Sequence, residues 1–327
     1  MSTMELSDVG VVIIGRNEGL RLVKCLESLV TKTKKLVYVD SGSNDNSVKV
    51  AQDMNISVVN LDMTIPFTAA RARNEGFELL IKSFPDLKYV QFVDGDCEVN
   101  PTWLYQAIKF LEMNPRVAVV CGRRRERYPG KSIYNLMCDI EWNTPIGEAK
   151  YCGGDALMRS SIFKETKGFN AGLIAGEEPE LCVRIRKLGW KVWRIDEEMT
   201  LHDAAMSRFA QWWKRSVRAG HAYAEGVYIH GEHPENHWVK ECRRAWLWAG
   251  FIPLFIILLL VINPNYAYVL FLIYPIQIIR IALQNKRPHS FKMAFFLVLG
   301  KFAELVGQFK FLKNMMLGQK IKLIEYK

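Results

Sequence analysis

The sequence predicts an α/β fold: a mixed, mainly parallel sheet flanked by helices, followed by a carboxyl-terminal helical membrane region. Three observations predict it. Short apolar runs of β-branched and aromatic residues alternate with stretches of helical periodicity through the amino-terminal part. Acidic residues recur just beyond the ends of those runs. From Trp246 onward, two long uncharged runs replace the alternation. Strand alternating with helix implies a parallel sheet covered on both faces. Ligands of such sheets bind beyond the carboxyl ends of the strands.

The first strand, Val9 to Ile14, runs into Gly15-Arg16-Asn17-Glu18, and Leu20, Val23, Leu26 and Leu29 then fall near helical spacing. The second, Lys35 to Val39, ends in Asp40-Ser41-Gly42-Ser43-Asn44-Asp45. The third, Ser57 to Leu61, leads into a helix from about Thr68 to Lys82. The fourth, Tyr89 to Val93, ends in Asp94-Gly95-Asp96. Gly95 is expected to let the backbone turn sharply, so that both carboxylates reach one point beyond the strand. Carboxylates are hard ligands that suit Mg²⁺ or Mn²⁺, and such ions usually also hold substrate phosphates. Glu18, Asp40, Asp94 and Asp96 therefore converge at the expected ligand edge. For Asp40 the alternative is a turn-capping carboxylate in its Ser-Gly-Ser-Asn loop.

Five segments in order carry a family resemblance: Ile14-Gly15-Arg16-Asn17-Glu18, Val39 to Asp45, Asp94-Gly95-Asp96, Gly153-Gly154-Asp155-Ala156, and Gly176-Glu177-Glu178-Pro179-Glu180-Leu181-Cys182-Val183-Arg184. Over roughly residues 8–225 the chain resembles family 2 glycosyltransferases of GT-A fold. The resemblance implies transfer of a sugar from a nucleotide diphosphate sugar, UDP favoured, usually with inversion. It implies that Asp96, with Asp94 nearby, holds a divalent metal (Mg²⁺ or Mn²⁺) that neutralises the leaving diphosphate. Asp94 and Asp40 match positions that contact the ribose or base, and Arg16, Glu18 and Arg73 lie beside the nucleotide; Arg71 is the alternative to Arg73.

An inverting transfer needs a base for the acceptor hydroxyl. Glu177-Glu178 matches the family's acidic pair, whose second member is usually an aspartate base; here it is Glu178, with Glu177 next. Leu181, Arg184, Ile185 and Leu188 put the pair at a helix start, where acids also complement the helix dipole. His202, in Leu201-His202-Asp203, is a candidate to complete the metal shell or, alternatively, a structural hydrogen-bonder. Gly154 and Asp155 are candidates for the donor or acceptor sugar side, with a turn as the alternative for Asp155. Gln211-Trp212-Trp213-Lys214-Arg215 departs from the Gln-x-x-Arg-Trp element of processive synthases, which argues against processivity. Arg123-Arg124-Arg125-Glu126-Arg127 reads as a solvated basic loop; no nucleic-acid motif accompanies it, and no nucleic-acid partner is expected.

Two domains are expected: a catalytic one over residues 1–225 and a membrane-associated one over 226–327. Trp246 to Ile262 carries no charge, and Tyr266 to Leu283 carries one, Arg280. A spanning helix needs about 20 residues, so 246–262 and 266–283 are candidate spans joined by Asn263-Pro264-Asn265. Residues 291–317 read as an interfacial amphipathic helix. The alternative is a buried core in a soluble domain.

The net charge of +10 lies wholly in the carboxyl-terminal part, with seventeen Lys and Arg against six Asp and Glu from Arg208 on. Arg243-Arg244 and Lys286-Arg287 flank the spans, which places both flanks and the catalytic domain on the cytoplasmic side of the inner membrane. Such flanks also attract anionic lipid. No amino-terminal apolar stretch predicts a signal peptide. Seven cysteines without a Cys-x-x-Cys predict reduced thiols rather than disulfides or a zinc site. The expected partners are a nucleotide sugar, a lipid-linked or saccharide acceptor and the membrane. The alternatives are a non-catalytic membrane scaffold and a sugar-phosphate nucleotidyltransferase; the latter would need a Gly-rich phosphate loop with a following Lys, which Gly15-Arg16-Asn17-Glu18 is not.

Overall fold

In the computed structural model, which describes residues 6–285, 287–318 and 324, the all-apolar strand β1 (Val9–Gly15) lies inside the sheet and is buried along nearly its whole length. After it come α1 (Leu20–Val30), β2 (Leu36–Asp40), α2 (Ser47–Asp53), β3 (Ser57–Asn60), α3 (Ala69–Ser83), β4 (Tyr89–Asp94), β5 (Cys97–Val99), α4 (Trp103–Met113) and β6 (Val117–Glu126). Next are α5 (Ile133–Glu141), β7 (Gly147–Ala149), β8 (Ala156–Arg159), α6 (Ser160–Glu165), α7 (Glu177–Lys187) and β9 (Lys191–His202).

The sheet order is β3-β2-β1-β4-β8-β6-β9-β5, with β7 paired to β9. The first four strands are parallel, as the sequence pattern predicts. β8 then runs antiparallel to both β4 and β6, and β9 returns parallel to β6. Parallel pairing brings the ends of β1, β2 and β4 level: Gly15 faces Asp40, and Ile14 faces Asp94. The loops carrying Arg16, Glu18, Asp40 and Asp94 thus share one edge.

The core on the two faces is built by β1 and β4 with Leu22, Leu26, Leu29, Leu80 and Trp103, all essentially inaccessible. Burying each such side chain contributes roughly 1.5–3 kcal/mol. Gln91 is the polar exception within β4. It is satisfied, accepting from Trp103 Nε1 at 2.8 Å and donating to the Phe92 carbonyl. Helix α3 starts where expected because Thr68 caps it, its hydroxyl accepting from Arg71 N at 3.1 Å.

One sequence expectation changes. The Arg123–Arg127 run is not a solvated loop: Arg123 to Glu126 continue strand β6 after the apolar Val117–Cys121 stretch. Gly95 lies in the turn after β4 without taking a left-handed conformation. It is needed for close approach, because a Cβ there would stand 3.1 Å from the Ile14 carbonyl oxygen that accepts from its own N–H.

The chain divides into two compact units, Met1–Pro129 with Cys138–Ala205, and Gly130–Met137 with Met206–Lys327. The boundary expected at residue 225 falls inside α8 (Phe209–His230). The second unit continues through α9 (Val239–Ala245), a π-helical turn (Trp246–Phe251), α10 (Ile252–Ile262), α11 (Pro264–Phe271), α12 (Ile273–Asn285) and α13 (Ser290–Met316). Among the described residues, two stretches are long and apolar enough to cross a membrane: Val239–Ile262, of 24 residues, and Pro264–Asn285, of 22. Their apolar side chains face outward, with Val261 83 % and Ile262 78 % exposed, which is not the pattern of a buried core helix. Asn263 separates them, its side chain accepting from Asn265 N. Lys286 lies outside the described residues.

Candidate active site

β4 ends at Asp94, the chain turns through Gly95-Asp96, and short β5 pairs antiparallel with the end of β9, Cys97 opposite His202. That register puts Asp96 beside the histidine: Asp96 Oδ1 lies 3.2 Å from His202 Nε2, both residues buried. Asp203 N also donates to the Asp96 carbonyl. The His202 ring packs edge-on to Trp142 with centroids 4.6 Å apart. Its Nδ1 is buried without a hydrogen-bond partner among the described residues.

This pair fits a divalent cation. A carboxylate and an imidazole nitrogen suit Mn²⁺ better than Mg²⁺, which prefers oxygen alone. Cys97 Sγ completes a cluster with Asp96 and His202. Its thiol is pushed far up by burial and by Asp155 and Asp96, so it stays protonated and donates to Asp96.

Asp94 belongs to a second network. Arg73 of α3, almost fully buried, bridges Asp94 and Glu177 at 2.7 Å each. Desolvation raises the Asp94 carboxyl, but Arg73 and then Arg124 outweigh it and hold the group below its ordinary value. Asp155 underlies the turn with no exposed surface. Its Oδ1 accepts from Asp94 N at 3.1 Å, and its Oδ2 meets Thr200 Oγ1 at 2.8 Å and Arg124 at 3.1 Å. Gly154 lies over the network; a Cβ there would stand 2.8 Å from Arg73 Nη2 and 3.2 Å from Asp94 Oδ2.

The acidic pair splits in two directions at the start of α7. Glu177 turns to Arg73. Glu178, buried, turns to the Cys152–Gly153 loop: Oε1 accepts from Cys152 N and Oε2 from Gly153 N, each at 2.8 Å. Burial raises the Glu178 carboxyl, and these donors, with the thiols of Cys152 and Cys182, oppose the rise without cancelling it.

The nucleotide candidates fall around the β1 and β2 ends. Asp40 is buried in its turn, accepting from Tyr38 OH, Gly42 N and Ser43 N. That is the turn-capping arrangement, and it sets the shape of the loop. Glu18 pairs with Arg21 at 2.7 Å. Arg16 lies over the Phe67 ring, 4.7 Å from its centroid. Of the two arginines, Arg71 binds Glu75 and the Ile65 carbonyl outside the site, and Arg73 alone reaches Asp94.

Sequence reasoning missed Arg124. It sits on β6, pairs with Asp155 and lies over Trp142. Its signal was the β-branched Val117-Ala118-Val119-Val120 run that leads straight into the basic residues.

Residues 10–165 match the family described as Glycosyl transferase family 2. That match spans just under half of the chain and includes the first four of the segments named from the sequence. O-antigen chain rhamnosyltransferase RfbN of Salmonella typhimurium is 26 % identical over 212 residues, 59 % of this chain and 66 % of that one, just under two thirds of its length. Glycosyltransferase AglE of Haloferax volcanii is 22 % identical over 231 residues, 67 % of this chain and 73 % of that one. Among solved structures, mannosyltransferase PcManGT from Pyrobaculum calidifontis, in complex with GDP-Man and Mn²⁺, superposes with a TM-score of 0.63 at 16 % identity. That match covers 92 % of this chain and 87 % of that one. The likeness is one of fold, and it makes the sheet a GT-A sheet. The five family segments named from the sequence all lie in the sheet-bearing unit of the molecule.

Proposed function

We propose that the protein is an inverting, metal-dependent glycosyltransferase that moves a sugar from a nucleoside diphosphate sugar to a hydroxyl of a membrane-proximal acceptor. The observation that carries the reading is the convergence of Asp96–His202 and Arg73–Asp94–Glu177 at the carboxyl-terminal edge of a GT-A sheet. Asp96 and His202 would hold the divalent ion, which when bound supplies Lewis-acid neutralisation of the departing diphosphate. Asp94, kept ionised by Arg73 and Arg124, is available to a ribose hydroxyl, and Arg16 and Glu18 border the nucleotide. Asp40 acts through its turn, presenting the Ser41–Asn44 loop to the base. Uridine is the favoured base; the PcManGT structure holds GDP-Man, so guanosine is the competitor to test.

Glu178 is the base. Its raised affinity for a proton suits removal of one from an acceptor hydroxyl at neutral pH. Glu177 is held by Arg73. Gly154 leaves room for a sugar over the Arg73–Asp94 pair, and Asp155 holds that pair from below.

Residues 1–225 carry catalysis and 226–327 carry attachment in this reading. The two apolar helices form a hairpin whose basic flanks, Arg243-Arg244 on one side and Arg287 on the other, lie in the cytoplasm of the cell whose inner membrane holds them. The acceptor is then a lipid-linked saccharide or glycolipid precursor at that surface. The similarity to RfbN, an O-antigen chain rhamnosyltransferase, supports a polysaccharide of the cell envelope as the product class.

Calorimetric titration of the detergent-purified chain with UDP, GDP and CDP, in Mn²⁺ and in EDTA, tests the reading. Metal-dependent binding of one nucleotide, lost in Asp96→Ala, is the expected result. Failure to bind any nucleotide in either condition would overturn it and favour a scaffold.

A further inference from the structure

Cys152, Glu178 and Cys182 meet at one point inside the sheet-bearing unit. Glu178 Oε1 lies 2.8 Å from Cys152 Sγ and 2.9 Å from Cys182 Sγ, and the two sulfurs are 4.0 Å apart. The three donors come from two segments. Glu178 and Cys182 are four residues apart on α7 and so share a face. Cys152 enters from the loop preceding Gly153-Gly154. No disulfide joins the sulfurs.

We propose that this cluster is a second metal site, separate from Asp96–His202, for a thiophilic divalent ion such as Zn²⁺, and that filling it shuts off transfer. Tetrahedral zinc with Zn–S bonds of about 2.3 Å holds its two sulfurs about 3.8 Å apart, close to the separation seen. Two sulfurs and one oxygen make a set that Zn²⁺ accepts and that Mn²⁺ or Mg²⁺ does not favour. The carboxylate is already oriented, because Cys152 N and Gly153 N each donate to one of its oxygens. Cys152 is half-buried and gives the ion a way in from solvent. The three donors leave the fourth position to water.

The metal-free cluster is held by protons. Both thiols donate to Glu178 Oε1. Binding replaces two S–H bonds with two Zn–S bonds and releases two protons to solvent. The ion also takes the Glu178 oxygen. The loss of transfer rests on the reading of Glu178 as the base; occupation of the site does not.

The test uses the full-length, reduced, metal-free protein titrated with Co²⁺. A cobalt–thiolate absorption band in the near ultraviolet, bleached by Zn²⁺, with about two protons released per ion, is expected. The band should be lost in Cys152→Ser and in Cys182→Ser, each checked for folding by circular dichroism, and kept in Asp96→Ala and Cys97→Ser. Absence of the band in the unmodified protein, or its survival in both serine variants, overturns the site. In transfer assays with Mn²⁺ present, Zn²⁺ at saturating occupancy should lower the rate at least tenfold. A normal rate with the band fully developed leaves the site standing and overturns both the shut-off and Glu178 as base.

Discussion

The fully buried carboxylate of Asp155 accepts the backbone N–H of Asp94 at 3.1 Å, so a residue sixty-one positions later in the chain sets the height of the Asp-Gly-Asp turn. Its other oxygen holds Arg124, whose charge in turn helps keep Asp94 ionised. Asp155→Ala removes the partner of a buried guanidinium and should cost about 3–5 kcal/mol of stability. Asp155→Asn keeps an acceptor for Asp94 N but sets an amide N–H₂ where Thr200 and Arg124 now find an oxygen, for a smaller cost of about 1–3 kcal/mol. Thermal unfolding of the two variants checks the ordering. An alanine variant as stable as the asparagine one would mean that Arg124 finds another partner.

The metal pair makes a separate prediction. Asp96→Ala and His202→Ala each remove one of the two proposed metal ligands and should weaken Mn²⁺-dependent nucleotide binding by about 10–100-fold or more, by analogy with the loss seen when a metal site loses even a supporting contact. Asp96→Ala should abolish transfer. His202→Ala should leave some activity, recovered in part by raised Mn²⁺. Titrating nucleotide at several Mn²⁺ concentrations reads this directly, and Mn²⁺-independent affinity in either variant would remove that residue from the metal shell.

Glu178→Gln should abolish transfer, a fall of about 10²–10⁴ in kcat as for loss of a general base, with nucleotide affinity unchanged. The amide also sets an N–H₂ against the Gly153 or Cys152 N–H, so some loss of stability accompanies it. Glu178→Asp separates the two effects, because a carboxylate is kept and only its reach shortens. Single-turnover rates that fall equally in Gln and Asp variants would assign Glu178 to holding the loop rather than to taking the proton.

The centre of the sheet was legible because β1, β2 and β4 are largely apolar runs that end in glycine or acid, and burial on both faces demands that composition. The Asp96–His202 contact was only half legible. Asp-Gly-Asp can be read locally, but its partner is set by the antiparallel register of Cys97 on His202, and nothing in either segment's composition encodes that pairing. Arg124 was misread because a run of like charges suggests solvent, whereas alternation on a strand turns successive arginines to opposite faces. Arg124 goes inward to Asp155, and Arg125 goes outward to Glu198. Asp40 shows a local case: the turn chemistry of its own loop describes the hydrogen bonds it makes.

In the second unit, His221 and Glu225 sit one helical turn apart on α8, 3.5 Å from each other, and both are buried. Burial, aided by Lys310, lowers His221 to about 4, and burial raises Glu225 to about 7. The folded pair therefore holds one proton between about pH 4 and 7. The unfolded pair also holds one proton between the ordinary values of 4.5 for Glu and 6.5 for His. Their contributions cancel across that window. Taken singly, His221 makes stability rise with pH from 4 to 6.5, since the unfolded state binds the extra proton there. Glu225 makes it fall from 4.5 to 7, since the folded state does. Glu225→Gln removes only the second effect. Relative to the unmodified protein, the variant should gain about 1–3 kcal/mol between pH 4 and pH 8, because each tenfold change in proton affinity is worth about 1.4 kcal/mol and partial solvation reduces the sum. Melting temperatures of both proteins in detergent across that range measure the difference. A difference that stays constant with pH would show that Glu225 is ionised in the folded state, as the partner of a charged His221.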